Sequence, residues 1–453
     1  MDKRTFLKKT LFLTAAPIFA KVLTAKPAPN YVTGLSRRDM LRFAVISDTH
    51  FGRKSKVGIN AMVKVPRTLK NLFSKTPLVD ALFVVGDITD NGRPDEYQQV
   101  RSVFGNRAFV PQDFPVYFMM GNHDYHHFSR NGNPAKYFTE QLGQEINQYV
   151  VIKKHPFITI SLTPTRKGGK WRDPKNCYDA PIQRFLAEKL KKAAQDFPGK
   201  PIFVFCHVPP ANTCYGSVAW GMKTINPILE KYPQVITFSG HSHFPVGHPH
   251  SIQQGKFTAI NDGSIAYTGY ETYDLKHVGT PEDAEIERVT EGLIVNVLGS
   301  GDVEIERWDT FRDEEILPRW LVKAPHDGSC FAYKADRKGL SPPAFAKDAR
   351  PIVTVEGDAC VVAFPQAVDD EIVLNYIITL VEEGSSKVLK RSGKFSQFFW
   401  NSEMPRTLSI KFDKLVPTKK KLIARVVAED AFRNQSMPIE SAAFAVASSS
   451  PDG

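Results

Sequence analysis

The chain has few of the features that would commit it to a specialised class. Its 453 residues include only five cysteines, Cys177, Cys206, Cys214, Cys330 and Cys360. They form no C-x-x-C pair and no zinc-finger spacing, which argues against a cysteine-held metal or redox site. The odd count leaves at least one thiol without an internal partner, and a chain of this length needs no disulfides to bury a core. Cys177 with Cys214 remains a candidate bridge. There is no internal repeat and no low-complexity tract, so collagenous, coiled-coil and disordered classes are excluded. The longest terminal apolar run, about Leu11 to Ala20, falls short of the roughly 20 residues that span a bilayer. No cysteine precedes Cys177 to carry an N-terminal lipid.

What is present is ordinary globular composition, 42% hydrophobic and 24% charged, with a formal net charge of +11. The basic excess lies partly in Lys3, Arg4, Lys8 and Lys9. The rest falls in short groups at Arg53-Lys54, at Arg166-Lys167 with Lys170 and Arg172, and at Lys419-Lys420-Lys421. Such groups draw in anions. Only Trp171 interleaves an aromatic, so the groups read as solvated faces and no specific nucleic-acid binding is expected. Residues 1–25 have a basic start, an apolar run and small residues at Ala20 and Ala25, the layout of a signal peptide. Lys3-Arg4-Thr5-Phe6-Leu7-Lys8 resembles a twin-arginine export signal with Lys in place of the first Arg. The expected destination is periplasmic, secreted or cell-surface, with no transmembrane anchor in the mature chain. Residues 26–39 read as a linker.

From residue 40 onward, short apolar runs alternate with amphipathic stretches. Strands are expected at Phe43–Ser47, Leu82–Val85, Val116–Met120, Phe157–Leu162, Ile202–Phe205 and Val235–Phe238. Helices are expected near 65–75, 94–104, 181–197 and 222–231, the third capped by Asp179 with Pro181 in its first turn. This alternation predicts an α/β (α+β layered) domain over 40–317. Strands near 257–260, 292–298 and 302–308 follow without long helices and predict a more antiparallel flank.

Polar residues capable of binding metal follow these strands. Asp48-Thr49-His50 follows the first, Gly86-Asp87-Ile88-Thr89-Asp90 the second and Gly121-Asn122-His123-Asp124 the third. Cys206-His207 and Ser239-Gly240-His241-Ser242-His243 end two later strands. Ligands bind outside the carboxyl ends of strands in α/β sheets, so these clusters would face one crevice. Taken singly, each has a plainer explanation: a helix cap, a turn, a core histidine. Their joint occurrence points to a metal site. Cys206 reads as a buried strand residue rather than a nucleophile, and His126, His127, His248 and His250 read as exposed loop histidines.

In this order the motifs resemble the signature of calcineurin-like metallophosphoesterases, over roughly residues 40–310. The resemblance implies a β-sandwich core flanked by helices and two metal ions, with manganese, iron or zinc suited to oxygen and imidazole ligands. By resemblance one ion takes Asp48, His50, Asp87 and His243, and the other shares Asp87 and takes Asn122, His207 and His241. His123 is then the catalytic acid facing substrate, with Asp124 as its partner. The implied reaction is hydrolysis of a small phosphomonoester or phosphodiester, nucleotides included, by hydroxide held between the ions. Asp90 stands where purple acid phosphatases carry a ligating Tyr, and the Arg-rich signatures of protein phosphatases are not evident. A Pro- and Gly-rich linker is expected over 318–346. Short strands over 347–447 resemble a fibronectin type III β-sandwich. The competing reading is a non-enzymatic exported surface-binding protein with a structural metal site.

Overall fold

The structure, a computed structural model, describes residues 40–75, 77–128, 133–162, 165–167, 170–172, 178–271, 278–279, 287–398, 404–416 and 420–446. The expected signal peptide (1–25), the linker (26–39) and Cys177 lie outside the described residues. No helix among the described residues is long and apolar enough to cross a membrane.

The first half of the main domain runs β1 (Arg42–Ile46), α1 (Ala61–Ser74), β2 (Ala81–Val85), α2 (Pro94–Phe104), β3 (Val116–Met119), α3 (Pro134–Leu142), β4 (Gln148–Ile152) and β5 (His155–Ile160). The hairpin β6–β7 (Thr165–Lys167, Lys170–Arg172) follows, then α4 (Ala180–Asp196), β8 (Ile202–Cys206), α5 (Ser217–Trp220), α6 (Asn226–Leu229) and β9 (Val235–Ser239). The remainder is β10 (Ile252–Gln254), β11 (Thr258–Asn261), the hairpin β12–β13 (Tyr270–Glu271, Val278–Gly279), β14 (Glu291–Val297), β15 (Val303–Asp309) and β16 (Glu314–Val322). Among the described residues the strands form two six-stranded sheets, ordered β16-β15-β14-β1-β2-β3 and β10-β11-β9-β8-β5-β4. Each sheet has a parallel heart, β1-β2-β3 in one and β5-β8-β9-β11 in the other. The flank β14–β16 is antiparallel.

Strand alternation builds two cores at once. Phe43, Val45, Phe83, Val85, Phe203, Phe205 and Phe238 point between the sheets, while Ala44, Ile46, Leu82, Val84, Ile202, Val204 and Cys206 point to the helices. The period of two along a strand sends neighbours to opposite faces, so a strand buried on both reads as an unbroken apolar run. Between the sheets the filling is aromatic. Phe83 stacks on Phe205 at 4.1 Å, and Phe43 meets Phe203 edge-on at 4.8 Å and Phe157 at 5.1 Å. On the outside, α4 starts where Asp179 accepts from the Ile182 amide at 3.2 Å. It lays Ile182, Leu186, Leu190 and Ala193 on the sheet. Helix α1 starts at Ala61, earlier than expected, because Asn60 caps it, and it continues through Pro66. The helix expected over 222–231 shrinks to α6.

The expected boundary at 317 falls inside a strand. β16 runs through Leu317 and Pro318 at the sheet edge, where a residue without an N–H is tolerated, so proline content hid the strand. Beyond the main domain lie β17 (Ile352–Glu356), β18 (Ala359–Pro365), β19 (Val373–Glu382), β20 (Val388–Phe395), β21 (Thr407–Phe412), β22 (Leu422–Asp430) and β23 (Ile439–Glu440). They form two antiparallel sheets, β17-β18-β21 and β20-β19-β22-β23. Their inner faces share a core that includes Val362, Phe364, Tyr376, Ile378, Leu408 and Val426. Phe395 and Phe398 of this sandwich pack with Val289 of the main domain. His248, expected in an exposed loop, is instead 3% exposed, stacked on Tyr215 at 3.8 Å and set against Phe398 at 5.8 Å.

Replacing the fully buried Phe43 with Ala should lower unfolding stability by about 3–5 kcal/mol, read from the denaturant midpoint. Leu317→Ala, at a position 63% exposed, should stay within about 0.5 kcal/mol of the parent.

Candidate metal centre

The site begins where β1 and β2 stop. Their pairing continues into the loops through Asp48 N–H to Gly86 O (3.1 Å), His50 N–H to Asp87 O (3.0 Å) and Phe51 N–H to Ile88 O (2.9 Å). The backbone then turns left-handed at non-glycine residues: φ is 52° at Asp48, 45° at His50, 44° at Asp87, 66° at His241 and 57° at His243. Each such residue costs of order 1–3 kcal/mol unless its surroundings enforce it, and such residues gather at functional sites. Here they turn side chains from both sheets toward one point. Two glycines make room. A Cβ on Gly121 would strike Asp87 Oδ1, and one on Gly240 would strike Asp48 Oδ2.

Among the described residues two groups of ligand atoms meet at Asp87, each with members within 4.8 Å of one another: Asp48, His50, Asp87 and His243, and Asp87, His207 and His241; a third, of His50, Asp90 and His123, shares His50. His243 Nε2 lies 3.1 Å from Asp48 Oδ1, His207 Nε2 3.2 Å from Asp87 Oδ2, and His50 Nε2 3.7 Å from the same Asp87 oxygen. Asp87 thus stands between the groups. Asp48, His50, Asp87 and His207 are buried at 1% exposure or less. Asn122 follows β3, and the next residue ties the loop to the cluster: His123 N–H donates to Asp87 Oδ1 at 2.8 Å.

The outward ring nitrogens are held. His207 Nδ1 contacts Val85 O at 2.8 Å, His50 Nδ1 contacts Asp90 Oδ1 at 3.1 Å, and His243 Nδ1 contacts Ser264 Oγ at 3.0 Å and Tyr267 O at 3.1 Å. Donation from Nδ1 fixes the tautomer and turns the Nε2 lone pair inward, the arrangement metal-binding histidines use. Tyr267 also stacks on His243 at 4.1 Å and carries Arg53 over its ring at 4.3 Å.

Electrostatics agree with a cation site. Burial alone would raise both aspartates, but His243 and His207 hold Asp48 at about 2, and His207 with His123 holds Asp87 well below the usual range. Burial lowers His50 to about 4 and His241 to about 3. Burial would also lower His207, but Asp87 and Asp48 drive it up to about 10. The site therefore holds two buried anions whose charge the surrounding imidazoles partly offset. Asn122 Oδ1 is buried without a hydrogen-bond partner among the described residues. Oxygen and imidazole donors, an unpartnered buried amide oxygen and excess negative charge fit a pair of divalent or trivalent ions.

One expected pairing fails. Asp124 does not hold the His123 ring. Its Oδ1 accepts from Thr89 N (2.8 Å) and Thr89 Oγ1 (2.7 Å), and its Oδ2 from Gly121 N (2.9 Å) and Ile88 N (3.2 Å). It is fully buried as the hub of two ligand loops, and burial together with the charge on Asp87 raises it to about 6. The His123 ring is positioned by Asp90: Nδ1 contacts the Asp90 carbonyl at 2.8 Å, with the Asp90 carboxylate 3.8 Å away. His123 keeps a third of its side chain exposed at the rim. Burial would lower it, but Asp87 and the Asp90 carbonyl raise it. Asp90 carries a local signal in its motif, whereas Ser264 and Tyr267 belong to no motif that the sequence shows.

The calcineurin-like phosphoesterase family model matches residues 41–245. A probable glycerophosphodiester phosphodiesterase of Arcobacter nitrofigilis is 29% identical over 210 residues, covering 44% of this chain and 70% of that protein. A probable cyclic nucleotide phosphodiesterase of Rhodococcus erythropolis is 31% identical over 81 residues, covering 17% of this chain and 27% of that one. A solved purple acid phosphatase from yellow lupin aligns at 11% identity and a TM-score of 0.43, over 67% of this chain and 57% of its own.

Asp124→Ala would leave three buried backbone N–H groups, on Ile88, Thr89 and Gly121, without their acceptor. At about 1–3 kcal/mol per stranded donor, unfolding stability should fall by about 3 kcal/mol or more. Unchanged thermal and denaturant midpoints would contradict the hub assignment.

Proposed function

We propose, from the match of residues 41–245 to the calcineurin-like phosphoesterase family model, that the chain binds two metal ions and hydrolyses small phosphoesters, phosphodiesters foremost. The observation that carries this reading is the convergence of two ligand groups on Asp87. One ion would be held by Asp48, His50, Asp87 and His243. The other would share Asp87 and be held by Asn122, His207 and His241. Manganese, iron and zinc suit this donor set. Ions bound there supply Lewis acidity toward phosphoryl oxygens and make water a nucleophile near neutral pH.

The chain's own residues do the rest. The left-handed loops fix the ligands before substrate arrives, so little reorganisation remains for the reaction step. His123, with Nδ1 committed to the Asp90 carbonyl, has Nε2 left to hand a proton to the departing oxygen. Asp124 acts as a positioning residue for the loops carrying Asp87 and Asn122. Arg53, braced on Tyr267, is the rim cation we assign to substrate oxygens. The phosphodiesterase names of two relatives support the diester class. The strand order of the C-terminal sandwich supports a fibronectin type III-like assignment. The signal-like first 25 residues support action outside the cytoplasm.

The test is a panel of aryl phosphodiesters, aryl phosphomonoesters and nucleotides with the manganese-reconstituted chain. Turnover that chelation abolishes and manganese restores is expected, and inertness toward the whole panel would sink the proposal. Asp87→Ala should reduce bound metal from two ions per chain to below one by elemental analysis. His123→Ala should keep both ions and lose about 10²–10⁴-fold in kcat.

A further inference from the structure

The metal centre opens to solvent past Asn122, His123 and His241, which are half-buried, while Asp48, His50, Asp87 and His207 are buried beneath them. The two flanks of this opening differ in chemistry. Beside His243 stand Tyr267 and the Arg53 guanidinium. Beside His241 stands Trp220, the last residue of α5, its ring perpendicular to the imidazole with centroids 5.5 Å apart.

Trp220 ends a crest of three apolar residues turned to water. Val218 is 83% exposed, Trp220 is 40% exposed, and Ala219 between them is exposed too. The segment beneath the crest is firmly tied. It follows His207 and closes on itself through a bridge between Pro210 and Met222, where Ala211 N–H donates to Met222 O and Met222 N–H to Pro209 O, both at 2.9 Å. Tyr215 N–H donates to His250 O at 2.8 Å, and Thr213 N–H to Ser217 Oγ at 2.7 Å. Gly216 lies so close to the loop of His241 and His243 that a Cβ there would meet Ser242 at 2.7 Å. Cys214, Tyr215, Ser217 and Met222 fill the inner side. The fold is thus satisfied from within, while an apolar crest is held in water against a ligand histidine. Contiguous exposed apolar side chains of this kind mark binding surfaces, and an indole offers a large rigid face to a flat partner.

We propose, resting on the phosphoesterase activity assigned above, that Trp220 is a specificity-determining residue whose ring stacks on the ester arm that stays on phosphorus, so that preferred substrates are phosphodiesters with an aromatic or heteroaromatic retained arm. His123, which hands its proton to the departing oxygen, meets the ring of His50 at 4.6 Å and so serves the ligand group away from Trp220. The departing arm leaves toward His123, and the retained arm runs past His241 to the indole. Water supplies the new oxygen on phosphorus as the bond to the departing arm breaks, so the retained arm remains in the phosphomonoester product. Product affinity therefore reports the same contact as substrate preference. Stacking on an aromatic side chain tolerates any flat ring, so the crest selects for flatness rather than for one pattern of substituents.

The test compares two diesters that share the p-nitrophenolate leaving group and carry either phenyl or methyl as the retained arm. Alongside, titration calorimetry on the manganese-loaded full-length chain compares phenyl phosphate with methyl phosphate. Phenyl should be preferred by about fivefold or more in both KM and calorimetric affinity. Trp220→Ala should remove most of that preference without loss of bound metal by elemental analysis, and Trp220→Phe should restore most of it. Equal affinity of the parent chain for the two monoesters would overturn the proposal. So would a preference that Trp220→Ala leaves unmoved, or a dimer in sedimentation that Val218→Ser dissolves, since a second copy would then cover the crest. Inertness toward both diesters would sink the hydrolase assignment instead, and the calorimetric comparison, which needs no turnover, would still decide for or against Trp220.

Discussion

Two carboxylates buried side by side govern the main domain. Asp48 and Asp87 are almost wholly withdrawn from water and reach the same imidazoles. Like charges in a medium of low polarity repel strongly, and chains do not normally bring them together. Here the arrangement is enforced by backbone geometry. The left-handed turns, the hydrogen bonds that extend the β1–β2 pairing, and the bare Cα atoms of Gly121 and Gly240 leave the two side chains no alternative. The imidazoles around them partly offset the charge, and bound cations would offset it fully.

The enclosing structure serves to keep that geometry. Each histidine bonded through Nδ1 to a carbonyl, a hydroxyl or Asp90 has its orientation set by a neighbour outside the two groups that meet at Asp87. Asp124 does the equivalent for the backbone, gathering amides from the loops after β2 and β3 onto one side chain. The aromatic layer between the sheets supplies the rigid floor beneath these loops.

Much of this was legible in the sequence because strand ends are chemically loud. An apolar run of five residues followed by Asp-x-His or Gly-Asp marks both the element and the point where it stops. The sandwich strands were legible for the same reason, through a period of two. What escaped notice lay in relationships the chain does not spell out locally. His123 and Asp124 are adjacent in sequence, yet one faces the rim and the other the interior, so adjacency suggested a partnership that Asp90 holds instead. Ser264 and Tyr267 support His243 from a segment with no motif. His248 looked like a surface histidine because its cover, Phe398, comes from the sandwich. β16 was concealed by a proline that an edge strand accepts. The division of strands into two sheets cannot be read from periodicity, since both present the same run of apolar residues, and it entered only through the family resemblance.

That division has a consequence for how the molecule comes apart. Asp48, His50, Asp87 and Asn122 hang from strands of one sheet, and His207, His241 and His243 from strands of the other. Any ion coordinated at this centre would work as a rivet between the two halves, adding its binding free energy to their cohesion. The demetallated chain is then the form in which the halves can slip, and metal supply would govern the lifetime of the protein as well as its turnover.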